Sequence, residues 1–217
     1  PTRSTLFPST TLFRSIHPDI FTILYQHHRP PANDYQVVFA IVRHPETPAH
    51  ITSALLPRLY TFDLLKLCSI PGVPQDQRHA AELAIVQRIP TQALGNQLTL
   101  ARRGTAPILE VLLMTGQPAV LTACLDNPRL KEGLLHRFLS SSVATAETIS
   151  LIARHGRWNK RPNLQLAILK NRLTPLVWFT LWLPHIPLQA ARELLLSRRL
   201  TPQQKALVKE SVSYRRG

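Results

Sequence analysis

The fold of this protein is decided by a stretch that the chain repeats: AIVRHPETP at residues 40–48 recurs as AILKNRLTP at residues 167–175. The offset of 127 residues continues through Leu56 and Leu183, and we place a one-residue insertion, giving an offset of 128, after that point. An offset of 127 accommodates three units of about 42 residues, and two interior copies begin near the required positions, as AIVQR and ACLDNP. The sequence therefore predicts a repeat protein whose units begin at Ala40, Ala84, Ala123 and Ala167.

Each repeat is expected to be helical. The 217 residues include only 7 Gly, and apolar residues recur at helical spacing, as in Leu134, Leu135, Phe138 and Leu139. No segment alternates apolar and polar residues over a strand length, so we expect no sheet. The pattern predicts fourteen short helices, several of which begin at a Pro preceded by a capping residue. These expected starts are Thr47-Pro48, Asn127-Pro128, Thr174-Pro175 and Thr201-Pro202.

Short amphipathic helices cannot bury their apolar faces alone, so successive helices must stack. We therefore expect an all-α fold, a right-handed α-solenoid of about four stacked repeats of 39–44 residues that forms one domain over residues 16–217. The expected units are a partial unit at 16–38 and repeats at about 40–82, 83–122, 123–165 and 166–213. The second repeat departs from the pattern, because it has Ile89-Pro90 where a capped Pro is expected.

Period, Pro placement and the Ala-Ile-Val start give the region from about 40 to 210 a resemblance to known repeat proteins. It resembles the HEAT and armadillo class, and more loosely the HEAT-like or leucine-rich-variant repeat proteins of bacteria. The resemblance implies a binding surface on an extended concave helix face. The first fifteen residues, PTRSTLFPSTTLFRS, look like translated sequencing-adapter sequence, so we expect them to lie outside the fold and the natural start to be missing.

Basic charge is concentrated in the C-terminal part of the chain. The chain has 26 Lys and Arg against 12 Asp and Glu, a net charge of +14, and residues 154–217 hold 13 of the basic residues and only 2 acidic ones. The densest run, RHGRWNKR at 154–161, places a Trp among cations, a combination that suits phosphate contact with base stacking. The expected partner-binding residues are Arg154, Arg157, Trp158, Lys160, Arg161, Arg172, Arg198 and Arg199. Cations at helix C-termini also complement the helix dipole, and basic surfaces attract acidic proteins and anionic lipids as well as nucleic acid.

Motifs for catalysis, metal binding or a cofactor are absent from the sequence, and we expect none of these sites. Adjacent His27 and His28 point apart on a helix, and Cys68 and Cys124 are expected to be buried. The Ser140-Ser-Ser142 run is interpreted as a helix stop and linker, and Trp178 and Trp182 as packing residues. The longest apolar run, 176–183, is too short to span a membrane, and we expect a cytoplasmic protein.

These features predict a non-enzymatic interaction module whose basic part contacts an anionic macromolecule, with a protein partner favoured and no small-molecule substrate evident. The alternative is a nucleic-acid-binding solenoid. The chain is similar to the HEAT-like DNA glycosylases in repeat class and charge only, so an enzyme of that kind is a remote alternative.

Overall fold

A computed structural model describes residues 17–27 and 35–215, so the expected adapter-like segment and His28 lie outside the described residues. The described residues form helices and no strand, which confirms the all-α prediction. Two short 3₁₀ turns, Leu56–Arg58 and Ile89–Thr91, complete the regular structure. The α-helices are α1 (Pro18–His27), α2 (Tyr35–Val42), α3 (Ala49–Leu55), α4 (Thr61–Leu67), α5 (Gln75–Arg88), α6 (Leu94–Arg103), α7 (Ala106–Leu113), α8 (Pro118–Leu125), α9 (Glu132–Ser140), α10 (Ala146–Arg154), α11 (Pro162–Leu169), α12 (Leu176–Trp182), α13 (Leu188–Leu196) and α14 (Pro202–Tyr214).

The described residues form two compact units, which divide between Gln92 and Ala93. In the first unit α1 contacts α3 and α3 contacts α5, while α4 packs on α5. In the second unit α6 contacts α8, α8 contacts α10 and α12 contacts α14, and several helices also contact the next one along the chain. Within each unit, therefore, a helix packs against neighbours one and two places away in the sequence.

The helix starts at Pro follow the prediction at one site and shift at two others. Thr201 caps α14 through a capping box with Gln204, as its sequence predicts. Thr47 and Thr174 instead bond backwards, because each hydroxyl donates to a carbonyl of the preceding helix; for Thr174 the acceptor is Ile168 at 2.5 Å. The residue that caps the next helix is then the Pro itself, Pro175 in the case of α12.

The expected helix start at Asn127-Pro128 is wrong. The Asn127 side chain donates from Nδ2 to the carbonyls of Ala101 at 2.8 Å and Gly104 at 3.2 Å, and its Oδ1 accepts from the N–H of Arg129. This holds residues 126–131 as a turn, and α9 begins only at Glu132. Because the Asn127 side chain hydrogen-bonds to carbonyls at the end of α6, it does not cap a helix that begins at Pro128, although the local sequence pattern predicts such a cap.

Only three of the four expected repeat starts occupy the same position in a helix. Ala40, Ala123 and Ala167 are each the sixth residue of an eight-residue helix. Ala84 is the tenth residue of the fourteen-residue α5, which continues to Arg88. The following Ile89-Pro90 begins a 3₁₀ turn like that at Leu56-Pro57, so it ends one helix rather than starting another.

The relationship at an offset of 127 residues extends further than the sequence comparison indicates. Gln77 donates to the carbonyls of His44 and Thr47, and Gln204 donates to those of Asn171 and Thr174. Likewise Arg88 binds the carbonyls of Leu56 and Leu59, and Arg215 binds those of Leu183 and Ile186. Each residue of the first set lies 127 positions before its counterpart in the second set. The alignment of the two regions therefore needs no one-residue insertion.

Candidate anionic-partner site

The structure places Trp158 in the interior rather than on the surface. Only 3% of the residue is exposed, and its indole N–H donates to the carbonyl of Leu125 at 3.0 Å. A ring buried in this way has no free face on which a base can stack. The interpretation of Trp158 as a stacking residue therefore does not fit the structure, and the residue packs the loop between α10 and α11.

Arg157 is bound to the protein itself. Its guanidinium donates to the carbonyls of Asn127 at 2.9 Å, Leu130 at 3.3 Å and Pro128 at 3.4 Å, and it lies 4.5 Å from the centroid of the Trp158 ring. The planar fork of Arg suits several acceptors at once. Arg157 thus supplies donors to the turn between α8 and α9, as Arg88 does for the turn after α3.

Arg154, Lys160 and Arg161 remain as exposed cations of the same run. Their side chains form no hydrogen bond or salt bridge that the structure records among the described residues. Arg154 ends α10, and Lys160 and Arg161 belong to the loop of residues 155–161 that follows it. None of the three lines the cavity described next.

A cavity of about 820 Å³ opens in the second unit, where the ends of α9, α11 and α13 meet the start of α14. Four of its lining residues are cations, and none is a carboxylate. The side chains of these cations have no hydrogen bond or salt bridge recorded in the described part of the chain. The lining residues are Leu139, Ser140, Ser141, Ser142, Ala167, Lys170, Asn171, Arg172, Leu173, Arg198, Arg199, Leu200, Thr201 and Pro202.

The first basic turn, residues 170–174, is held in place by hydrogen bonds to its backbone and side chains. Asn171 donates from Nδ2 to the carbonyl of Leu139 at 2.7 Å, and its Oδ1 accepts from the N–H of Leu173. The Thr174 hydroxyl is bonded to the end of α11. Lys170 and Arg172 therefore project from a fixed backbone, which lowers the entropy that a ligand must remove on binding.

The second basic turn, residues 197–201, is joined to the first by Gln204, which is 1% exposed. The Oε1 of Gln204 accepts from the N–H of Thr201 at 2.9 Å, while its Nε2 donates to the carbonyls of Arg172 at 3.1 Å and Thr174 at 2.9 Å. One buried amide thus ties together the turns that carry the cavity's cations. Beneath them lies a core of α11–α14 that includes Phe179, Leu183 and Leu194.

Of the eight residues expected at the site, the cavity brings together Arg172, Arg198 and Arg199. Lys170 and the Ser140–142 run, interpreted above as a helix stop and linker, also line the cavity. The hydroxyls of Ser140 and Ser142 are suitable donors for an anion, whereas the Ser141 hydroxyl donates to the carbonyl of Phe138 at 2.6 Å. The contribution of Gln204 is not evident from local pattern, although its match with Gln77 at the 127-residue offset is visible in the sequence.

The cysteines and Trp178, considered above as candidate functional groups, pack inside the protein. Cys68 and Cys124 are buried, and burial raises the pKa of the Cys124 thiol to about 12. Trp178 is 8% exposed, and its N–H donates to the hydroxyl of Ser150 at 3.1 Å, while its ring packs on Trp182. Across the described ranges, no three His, Cys, Asp or Glu side chains gather as a metal site.

Comparison of the chain with protein-family models, curated proteins and solved structures gives no match. No helix of residues 17–27 and 35–215 has the length and apolar character that crossing a bilayer requires.

Proposed function

We propose that this protein is a non-enzymatic interaction module that binds an anionic macromolecular partner at the basic cavity of residues 139–202. The observation that carries the proposal is the convergence of Lys170, Arg172, Arg198 and Arg199 on one concavity without a carboxylate in its lining. Like charges gathered in a cleft raise the local potential and attract counter-ions. A partner that supplies negative charge would relieve their mutual repulsion.

Helix-dipole complementation explains part of this charge, because Lys170 caps the end of α11 and Arg198 follows the end of α13. That effect acts at each terminus independently. It does not require two separate turns to direct their cations at one cavity, or a buried amide to hold the turns together. These two features support a binding role beyond helix stabilisation.

The right-handed α-solenoid of about four repeats remains part of the proposal. Its support is the contact of helices one and two places apart along the chain within each unit. Such stacking is typical of proteins that bind partners on extended helical surfaces. A crystal structure in which α6, α8 and α10 do not form one layer would contradict this arrangement.

The test compares two variants that each remove four positive charges. One neutralises the cavity, with Lys170, Arg172, Arg198 and Arg199 changed to Gln. The matched control changes Arg102, Lys131, Arg192 and Lys209, all exposed cations outside the cavity lining, to Gln. Fluorescence anisotropy with labelled poly-glutamate, measured from low to physiological salt, gives the affinities.

We expect the cavity variant to lose at least about tenfold in affinity and the control to lose no more than about threefold, with affinity falling as salt rises because exposed charges are screened. Equal losses in the two variants would mean that net charge alone attracts the probe. Affinity for poly-glutamate that does not change with salt would also overturn the proposal.

The nucleic-acid alternative is supported by the exposed Lys160 and Arg161 at the loop after α10. It predicts tight binding of a single-stranded oligonucleotide, a linear fall of log affinity with log salt, and a loss in the Lys160→Ala/Arg161→Ala variant. Arg157 is unsuitable for this test, because its replacement breaks the contacts with the turn between α8 and α9.

A further inference from the structure

An uncovered aliphatic face adjoins the basic cavity. Leu173, which lines the cavity, is 44% exposed, and the next helix continues the face with Leu176 at 40%, Val177 at 53% and Leu181 at 52%. Val177 and Leu181 are one helical turn apart, so they lie on the same side of α12. The face opposite is buried through Trp178 and Phe179.

This combination departs from an ordinary solvated helix. The outward side of a surface helix is normally polar, and contiguous exposed apolar groups mark surfaces that contact other molecules. From Leu176 to Leu181 the face extends about 7.5 Å along the axis, a little more than one helical turn. Leu173 lies three residues before Leu176 in the chain and lines the cavity beside its cations, and we refer to Leu173, Leu176, Val177 and Leu181 as the apolar strip.

The chemistry of the strip discriminates between anionic partners. Single-stranded nucleic acid binds by backbone charge and by stacking of its bases on exposed aromatic rings. Trp158, Trp178 and Phe179 are buried, Trp182 is partly buried against the core of α11–α14, and the exposed side chains of the strip are aliphatic. A bilayer surface is flat on this scale, whereas the cations here surround a concavity of about 820 Å³. A narrow chain segment that carries both carboxylates and aliphatic side chains matches both parts of the surface.

We propose that the occupant of this surface is an acidic amphipathic segment of a partner protein. Its carboxylates pair with Lys170, Arg172, Arg198 and Arg199, and its aliphatic side chains cover Leu173, Val177 and Leu181. The apolar contacts supply affinity, while the charges set orientation and speed of encounter. This inference rests on the proposed function and specifies the chemistry of its partner.

The experiment uses two synthetic peptides of about twenty residues with the same number of Glu. One peptide has Leu residues spaced alternately three and four positions apart, so that they share one face of a helix. In the other peptide each Leu is replaced by Gln. The full chain is compared with a Leu173→Gln/Val177→Gln/Leu181→Gln variant, a Leu83→Gln/Leu94→Gln control at similarly exposed positions, and the single variant Leu181→Gln. Circular dichroism and thermal unfolding establish whether each variant folds. If the triple variant does not fold, the single variant Leu181→Gln provides the test.

We expect the full chain to bind the Leu-containing peptide at least about tenfold more tightly than the Gln-containing one. The triple variant should lose that preference while retaining its affinity for the Gln-containing peptide, the single variant should lose part of it, and the control should keep it. Equal binding of the two peptides overturns this inference and leaves the proposed function standing, whereas binding of neither peptide overturns both.

Two further probes decide between classes of partner. A single-stranded oligonucleotide or vesicles of phosphatidylserine and phosphatidylcholine should bind more weakly than the Leu-containing peptide at the same salt. Tighter binding of either probe, together with a loss of affinity for that probe in the triple variant, would show that the apolar strip binds that class of partner. This result would overturn the inference.

Discussion

The side-chain amide of Gln204 donates to the backbone carbonyl of Arg172 at 3.1 Å, although the two residues are 32 positions apart. The same side chain accepts from the N–H of Thr201. Because a buried carbonyl or N–H that loses its partner costs about 1–3 kcal/mol, this amide is a major contributor to the order of both basic turns.

Gln204→Leu should therefore lower the free energy of unfolding by about 2–3 kcal/mol, since Leu fills similar volume but forms no hydrogen bond. It should also weaken anion binding, because the cavity's cations lose their common support. Urea unfolding and anisotropy measure the two effects. The neighbouring Gln203→Leu, at an exposed position, should change stability by no more than about 0.5 kcal/mol. Similar results for both variants would contradict the role given to the Gln204 amide.

The first unit contains a related arrangement with fewer hydrogen bonds, in which Gln77 donates to the carbonyls of His44 and Thr47. Gln77 matches Gln204, but the residue that corresponds to Thr201 is Pro74, which has no N–H, and the Oε1 of Gln77 is a buried atom without a hydrogen-bond partner. Pro74→Thr supplies both an N–H for Oε1 and a hydroxyl cap for α5. We expect it to raise the free energy of unfolding by about 1 kcal/mol, after the loss of proline's rigidity.

Two comparisons test that explanation by urea unfolding. Pro74→Ala supplies the N–H without the hydroxyl and should give a smaller gain or none. In a Gln77→Leu background the N–H of Pro74→Thr has no acceptor, so only the part of the gain that comes from the hydroxyl cap should remain. A gain of the same size in that background would show that it arises elsewhere.

Arg157 is expected to act on stability rather than on binding. Arg157→Ala removes donors from the carbonyls of Asn127 and Leu130 and the contact with the Trp158 ring, which should cost about 1–2 kcal/mol. Arg157→Lys should recover less than half, because a single ammonium cannot reproduce the planar fork. Thermal unfolding gives the values, and Arg154→Ala, at an exposed neighbour, should be nearly neutral.

The first unit should show a pH dependence that comes from Tyr35 and Asp63. The Tyr35 hydroxyl donates to the Asp63 carboxylate and accepts from the N–H of Tyr60 at 2.9 Å, and Lys66 lies 2.6 Å from the other carboxylate oxygen. Burial and the bond to Asp63 raise the pKa of Tyr35 from 10.0 to about 12. Burial acts to raise the pKa of Asp63, but the bonds from Lys66 and Tyr35 outweigh it and hold that pKa below 3.8.

The folded state thus holds the Tyr35 proton more tightly than the unfolded state, so this stabilisation is complete below pH 10 and is lost as pH rises toward about 12. The Asp63 contribution is complete above about pH 4 and is lost as pH falls through the lowered pKa. The stability difference between the natural chain and Tyr35→Phe, measured by urea unfolding, should be largest between these limits and shrink beyond each. A difference that stays constant from pH 7 to 12 would contradict the assignment.

Sequence pattern predicted the helices well and the turns less well. Periodicity and Pro position predict helices over 75–88 and 118–125 and a helix that begins at 162, which are the observed bounds of α5 and α8 and the observed start of α11, because these signals act within one helix. The start of α9 was missed, since the side chain of Asn127 is bound to carbonyls more than 20 positions earlier. Local pattern contains no trace of such a bond.

The candidate site shows the same limit. Charge counting identified Arg172, Arg198 and Arg199, which share the cavity, but gave equal weight to Arg157 and Trp158, which are bound to the protein's own backbone. A count of Arg and Lys residues does not distinguish a cation with a free side chain from one whose side chain is bound to backbone carbonyls. Arg88 and Arg215, which the 127-residue offset aligns, bind turn carbonyls in the same way as Arg157, but the offset does not extend to Arg157 itself.

The amide shared by the two basic turns has a consequence for the last helix. Gln204 belongs to α14, so the cations of the cavity owe their position to a segment that contributes no charge to it. Ligand occupancy and the folding of α14 are then thermodynamically linked, and each must favour the other to the same extent. Shortening the chain from its C-terminal end would therefore reduce affinity before any contact residue is removed.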